Sequence, residues 1–212
     1  MHLGCLYLAQ GDLEAAIRLF EEGLALCHTT GQRASLGSIA GGLGEAYALT
    51  GRLAEGLALL EEALHNDLRT GAFGNGYVTP LRQLSAVYLL AGRFGGAWQH
   101  ACQVFDLVRR LKARGQEALV LFQLGAVHTH ASPPNVQPAE AHYREALALA
   151  ESLGMRPLVA HCHRGLGSLY AKSGRRAQAR AELTTAIERY RAMEMTFWLS
   201  QAEADLGEVE GR

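Results

Sequence analysis

The sequence has no excess of charge in either direction. Twenty Lys and Arg stand against 21 Asp and Glu, a formal net charge of −1. That balance leaves out the electrostatic footprint that nucleic acid or an anionic membrane surface would need. The basic stretches 109–114 and 172–180 read as solvated helix ends, because Lys and Arg favour a last turn where carbonyls are unsatisfied. Cysteine is scarce too. Cys5, Cys27, Cys102 and Cys162 share no C-x-x-C spacing, which argues against a disulfide framework or a zinc site and for a reducing, cytoplasmic setting. The first ten residues lack the basic start and the length of a signal peptide. Leu3-Gly4-Cys5 comes too soon after the start to end a lipoprotein signal. No run reaches the ~18 apolar residues of a membrane helix.

Catalytic groupings are missing as well. His161 and His163, like His128 and His130, are two residues apart. On a helix such residues point to different faces, so neither pair can share one metal ion. Gly37 to Gly44 is rich in glycine but has neither the lysine nor the hydroxyl of a phosphate-binding loop. Glu21-Glu22 and Glu61-Glu62 recur at equivalent places and mark a solvated face. No Ser/His/Asp or Cys/His arrangement stands out. The expectation is therefore a chain that is not an enzyme, with no metal, no cofactor, no nucleic acid and no membrane among its ligands.

What is present is a repeat. Hydrophobic residues make up 49% of the chain, ample for a continuous core. A short grammar recurs five times: Leu, a small residue, two variable residues, Tyr, then Gly, then a second small residue. The copies are Leu3-Gly4, Tyr7, Gly11, Ala16; Leu43-Gly44, Tyr47, Gly51, Gly56; Leu84-Ser85, Tyr88, Gly92, Ala97; a degraded Leu124-Gly125, His128, Pro134, Ala139; and Leu166-Gly167, Tyr170, Gly174, Ala179. Each copy splits into two helical stretches. In the second, 33–49 forms one, and 53–69 forms the other, with apolar Leu53, Leu57, Leu60 and Leu64 at helical spacing. The Gly after the Tyr suits the left-handed residue that ends a helix and turns the chain. The small residues sit mid-helix, where glycine costs roughly 0.5–1 kcal/mol against alanine, so five repetitions call for close approach of the paired helix. The Tyr column fills the adjoining groove. The following columns, Phe20, Leu60, Ala101, Tyr143, Leu183 and Leu24, Leu64, Phe105, Leu147, Ile187, are apolar or small.

This pattern resembles the tetratricopeptide repeat over essentially the whole chain. The resemblance implies an all-α, right-handed α-solenoid of stacked antiparallel helix pairs, with about eleven helices and a ~40-residue period where the usual unit has 34. Units are expected near 1–31, 32–71, 72–115, 116–154 and 155–194, with a terminal half-unit 195–212, as one domain. The proline that often ends the second helix is replaced by His28, Leu68, Arg109, Glu151 and Arg191. Second helices therefore run on to glycines such as Gly31, Gly71 and Gly154, which lengthens the period. Ser132 to Pro138 replaces one tight turn and reads either as a tolerated surface turn or as a contact loop. Polar Glu203, Asp205, Glu208 and Glu210 suit a terminal cap. Nothing comparable precedes Met1, so a larger parent protein, or self-association through an uncapped N-terminus, is expected.

In such repeats the first helix of each pair lines the concave surface. The resemblance thus implies a binding groove for a protein or peptide at Ser38, Glu45, Thr79, Arg82, Phe122, His161, Arg164 and Ser168. Arg82 and Arg164 are its strongest features and suit a carboxylate or an acidic segment. No asparagine follows them at the next turn, unlike the chaperone-binding members that clamp a terminal carboxylate. The stretch 139–207, with Gly154-Met155-Arg156-Pro157, Arg164-Gly165-Leu166-Gly167 and Phe197-Trp198-Leu199, is similar to the carboxyl end of large bacterial proteins that join a cyclase domain, an ATPase and such repeats. That implies a regulatory sensor or docking arm in signal transduction. Two alternatives stay open: the sensor arm of a STAND/LuxR-like transcriptional regulator, and a solenoid binding a small ligand.

Overall fold

The computed structural model describes the backbone of residues 2–31, 35–70 and 75–211, and the side chains of 3–31, 35–65 and 77–211. Eleven α-helices and no strand occur among the described residues. They fall into two compact units, Met1–Lys112 and Ala113–Arg212. The first holds α1 (His2–Gln10), α2 (Leu13–Thr30), α3 (Leu36–Leu49), α4 (Leu53–Thr70), α5 (Asn75–Leu90) and α6 (Phe94–Arg110). The second holds α7 (Arg114–His130), α8 (Val136–Ser152), α9 (Arg156–Lys172), α10 (Arg176–Ala192) and α11 (Thr196–Glu210). Arg33 as the start of α3 and Gly71 as the stop of α4 lie outside the described residues. Gly31 and Gly154 do end second helices, both in the left-handed region, at φ 70° and 67°.

Within each unit the odd-numbered helices lie against one another, α1 with α3, α3 with α5, α7 with α9, and α9 with α11. Each even-numbered helix packs on the one before it, and α2, α4, α8 and α10 also pack on the one after. This is the all-α arrangement of stacked antiparallel pairs. Tight turns link the two helices of a pair. After Tyr47, Tyr88 and Tyr170 the chain passes through Gly51, Gly92 and Gly174, all at positive φ. The next residue's N–H then closes back on the tyrosine carbonyl, Arg52 to Tyr47 at 2.8 Å, Arg93 to Tyr88 at 2.8 Å and Arg175 to Tyr170 at 2.8 Å. That six-to-one bond satisfies a carbonyl the helix end would leave open. In the degraded copy Asn135 N–H closes on the His128 carbonyl at 3.0 Å, so the Ser132–Pro138 segment lengthens the turn but keeps its closing bond.

The small-residue column is where paired helices meet. A Cβ added at Gly44 would come within 2.8 Å of Leu60 Cγ, and one at Gly167 within 2.6 Å of Leu183 Cγ. Gly4 faces Phe20 at 2.9 Å and Gly125 faces Tyr143 at 2.8 Å in the same way. Phe20 and Tyr143 reach further: Phe20 also seats against Gly42, and Tyr143 comes within 2.5 Å of a Cβ at Gly165. Each aromatic ring is thus held between glycines of its own first helix and of the next one. Ser85 is the exception that follows the same volume rule. Its knob is Ala101, fully buried, and the serine fills the freed space, donating its hydroxyl to the Ala97 carbonyl at 2.8 Å.

Gly44→Leu or Gly167→Leu is therefore expected to destabilise its unit by roughly 1–3 kcal/mol through overpacking, read as a fall in the denaturant midpoint. Ala101→Leu should do the same, and Ser85→Gly should recover part of that loss by rebuilding the Gly/Leu pairing. A double-mutant cycle with no coupling between positions 85 and 101 would sink the volume rule.

Candidate functional site on the first-helix face

The expected groove residues all lie on first helices. In the Met1–Lys112 unit, α3 supplies Ser38 and Glu45 and α5 supplies Thr79 and Arg82. All four are partly buried. Glu45 Oε2 lies 3.9 Å from Arg82 Nη2 and accepts a 3.1 Å bond from Gln83 Nε2. Gln83, which the sequence reading passed over, is itself buried, and the bare Cα of Gly41 makes room for its amide oxygen. The carboxylate that Arg82 was expected to take from a partner is thus supplied within the unit by Glu45. The pair keeps side-chain exposures of 12% and 23%, so its charges are screened only partly by solvent.

In the Ala113–Arg212 unit, α7 supplies Phe122 and α9 supplies His161, Arg164 and Ser168. Arg164 donates Nε to Asp205 Oδ2 and Nη1 to Gln201 Oε1, both at 2.7 Å. Both acceptors come from α11, so the helix read as a polar cap also reaches into this face. The two bonds fix the guanidinium plane while leaving 25% of the side chain exposed. His161 sits beside it, sharing a 2.6 Å hydrogen bond with the Tyr190 hydroxyl. The Trp198 ring meets its ring edge-on at 4.8 Å, and Phe122 lies 6.1 Å away. Burial, helped by the Arg164 charge, pushes the His161 imidazole down to about 3, so it is neutral at pH 7. Ser168 lies further along α9, half-buried.

His163 points elsewhere, to Glu182 of α10 at 2.7 Å. No three His, Cys, Asp or Glu side chains are grouped to hold a metal ion among the described residues. No helix of the described residues is long and apolar enough to cross a membrane.

A second set of contacts lies at the far end of the first helices. Tyr47 donates its hydroxyl to Glu21 at 2.7 Å, Tyr88 to Glu61 at 3.0 Å and Tyr170 to Glu140 at 2.9 Å. In each case the carboxylate belongs to the preceding second helix. Arg52, Arg93 and Arg175, the residues that close the turns, lie over the same three rings, at 3.7, 5.8 and 4.1 Å. Arg175 also pairs with Glu140 at 2.8 Å and so joins two helix pairs. The 172–180 stretch is therefore only partly a helix end: Arg175 and Arg176 open α10, and a cation is tolerated there because the ring and the carboxylate receive it. The arginine column was legible as a fixed offset of five from each tyrosine, and its role needed the geometry. His128, in the Tyr column, stacks on His142 with centroids 5.4 Å apart, as Tyr88 stacks on His100 at 5.4 Å.

Two stretches match family models of the tetratricopeptide repeat, residues 1–30 and residues 164–211. No curated protein sequence matches the chain. Several solved structures are similar. The signal transduction ATPase with numerous domains (STAND) protein with a tetratricopeptide repeat sensor from Pyrococcus horikoshii covers 99% of this chain at a TM-score of 0.67 and 17% identity. A Rap protein complexed with competence and sporulation factor covers 97% at 0.79 and 15% identity. BtubC (BKLC) from P. vanneervenii covers 90% at 0.63 and 23% identity, and 78% of its own chain is matched. The chain spans 60% of the Rap chain and 32% of the STAND chain. The two matched stretches are tetratricopeptide repeats, and the chain has the helical fold of these solved structures.

The depressed His161 pKa sets a pH window. Its folded value of about 3 lies below the ordinary 6.5. The unfolded chain therefore binds this proton first, and stability is lost as pH falls from about 6.5 towards 3. His161→Gln, which cannot protonate, is expected to lose less stability than the native chain between pH 7 and pH 4.5. Equal losses in denaturant titrations at the two pH values would refute that assignment.

Proposed function

We propose that this chain is a protein-interaction module that takes a peptide segment on the first helices of its Ala113–Arg212 unit. The observation that carries this reading is the pre-set group on α9 and its neighbours. A guanidinium oriented by Asp205 and Gln201 stands beside His161, whose ring meets Trp198 and lies near Phe122, and all three aromatic residues are partly exposed. A fixed planar donor next to aromatic surface suits a segment that carries both an acidic and an apolar side chain, and little ordering is needed on binding. Glu45, Arg82, Ser38 and Thr79 make a more polar counterpart on α3 and α5, and Ser168 extends the α9 surface.

At a finer level we read the chain as the C-terminal sensor or docking arm of a larger bacterial signalling protein of the cyclase/ATPase type. Two observations support this: the likeness to a STAND protein whose repeats are named as its sensor, and the sequence resemblance over 139–207. The STAND likeness equally favours the sensor arm of an ATPase-type transcriptional regulator. In-frame coding sequence upstream of Met1 separates the two, since cyclase aspartates beside a phosphate-loop lysine mark the first and a helix-turn-helix the second.

The groove is tested with a peptide selected from a random library against the native chain. Reversing Arg164 to Glu would set a second carboxylate against Asp205, so a neutral replacement is the cleaner probe. Arg164→Gln is expected to keep the melting transition close to native and to weaken that peptide about tenfold or more. Undiminished affinity would move the binding site off the first-helix face.

A further inference from the structure

Behind the α9 site stands a fully buried residue. Tyr190 of α10 is 0% exposed, and its hydroxyl shares a 2.6 Å hydrogen bond with Nδ1 of His161. His161 is the one hydrogen-bond partner of that hydroxyl among the described residues. A neutral imidazole carries its proton on one nitrogen or the other, so the bond can be made in two ways. If Nδ1 held the proton it would donate to the phenol oxygen, and the phenol proton would be left inside the protein without an acceptor. If the phenol donates, Nδ1 accepts and both groups are satisfied. Buried donors in folded proteins are paired, which selects the second arrangement. Burial also pushes the Tyr190 phenol well above its ordinary value, so its proton stays in place. The single proton of the neutral His161 ring therefore sits on Nε2.

Nε2 of His161 makes no hydrogen bond among the described residues, yet it is not a buried unpaired nitrogen as Nε2 of His163 is. It opens to the first-helix face, where His161 is partly exposed. Arg164 follows three residues later, one turn along the same helix, so the two side chains are neighbours. Its Nε and Nη1 are engaged by Asp205 and Gln201, which leaves Nη2 to an incoming group. The Gln201 amide is oriented by the same contact. A guanidinium has no acceptor, so the amide turns its oxygen to Arg164 and keeps its NH2 for another partner. His161, Arg164 and Gln201 thus all offer donors, and Asp205 balances the charge among them.

We propose that Tyr190 is a positioning residue that fixes the His161 tautomer, so that His161 Nε2–H and Arg164 Nη2 together receive one side-chain carboxylate, from an Asp or Glu of the bound peptide. This rests on the reading of the site as a peptide face and adds the group it selects. A carboxylate has two oxygens, one for each donor, and its bond to a guanidinium is charge-assisted. An Asn or Gln side chain has one oxygen and turns an NH2 against the second donor, so it is held less well. A basic side chain meets the guanidinium charge and has no oxygen for either donor. Without the Tyr190 hydroxyl the imidazole proton is no longer assigned to Nε2, and the site loses a donor while keeping its shape.

The test starts with the full chain alone. A long-range proton–nitrogen correlation spectrum of the isotope-labelled protein at pH 7, with the His161 signals identified by their loss in His161→Gln, is expected to show the Nε2–H tautomer. The Nδ1–H form would overturn the proposal whatever the peptide does. Tyr190→Phe should turn those signals into a mixture of tautomers and weaken a library-selected peptide about threefold to tenfold. If this variant does not fold, the native spectrum decides alone. The selected peptide should hold an Asp or Glu whose change to Asn or Gln weakens binding to the native chain more than binding to Tyr190→Phe, because the two changes remove one shared interaction. A pure Nε2–H tautomer in Tyr190→Phe, or strictly additive losses, would overturn the role of Tyr190. If Tyr190→Phe binds the peptide as the native chain does while Arg164→Gln does not, the peptide keeps its place on this face and the tautomer proposal alone fails. If Arg164→Gln also binds undiminished, the reading of the face fails and this proposal with it.

Discussion

Four of the five helix pairs among the described residues depend on one steric constraint: a bulky side chain of the second helix must enter the first helix where that helix has almost no side chain. Leu183 enters at Gly167, Leu60 at Gly44 and Tyr143 at Gly125. Mid-helix glycine costs local stability, and the cost is recovered only when the partner helix arrives and dispersion contacts close around the knob. Where the knob shrinks to Ala101, the hole shrinks to match, with Ser85 bonded to the Ala97 carbonyl. Local preference and tertiary packing are thus opposed within each first helix and reconciled only in the pair, which ties the stability of each helix to its neighbour.

A second constraint links one pair to the next. The six-to-one turn delivers an arginine to the face of the tyrosine it closes on, and the tyrosine hydroxyl reaches a carboxylate on the preceding second helix. One short stretch of chain therefore ends a helix, caps it, and fastens it to another pair. The cluster around Glu140, with Tyr170, Arg144 and Arg175 about it, holds the carboxyl below the ordinary carboxylate range, chiefly through Arg175. The Glu21-Glu22 and Glu61-Glu62 pairs are solvated as their sequence suggests, yet the first member of each also receives a tyrosine.

The first-helix face is shaped by what these fasteners leave over. Pairing uses the knob and tyrosine positions, and the residues just before the Leu-small core are released for other contacts: Arg82, Gln83, Phe122 and Arg164. Two of them, Arg82 and Arg164, are engaged by acidic side chains of neighbouring first helices. A partner would meet oriented guanidinium groups whose charge is already partly balanced, which favours directional hydrogen bonds over bulk attraction.

Periodicity alone determined the class of fold, the helix pairs and the glycine turns, because a column such as Leu3, Leu43, Leu84, Leu124, Leu166 has few other physical readings and each glycine has a steric reason to recur. It also marked Gly44, Gly125 and Gly167 as points of close approach. It could not say which charged residues meet. Arg164 and Asp205 are far apart in the chain, as are Arg82 and Glu45, and their distances are set by how neighbouring first helices stack. Nor could it show that His161 is neutral among Phe122, Tyr190 and Trp198, since desolvation depends on every neighbour at once. Tertiary structure alone decided that the Tyr143 ring reaches Gly165 of the following pair as well as Gly125: a motif specifies the hole, and only the packed neighbours show what fills it.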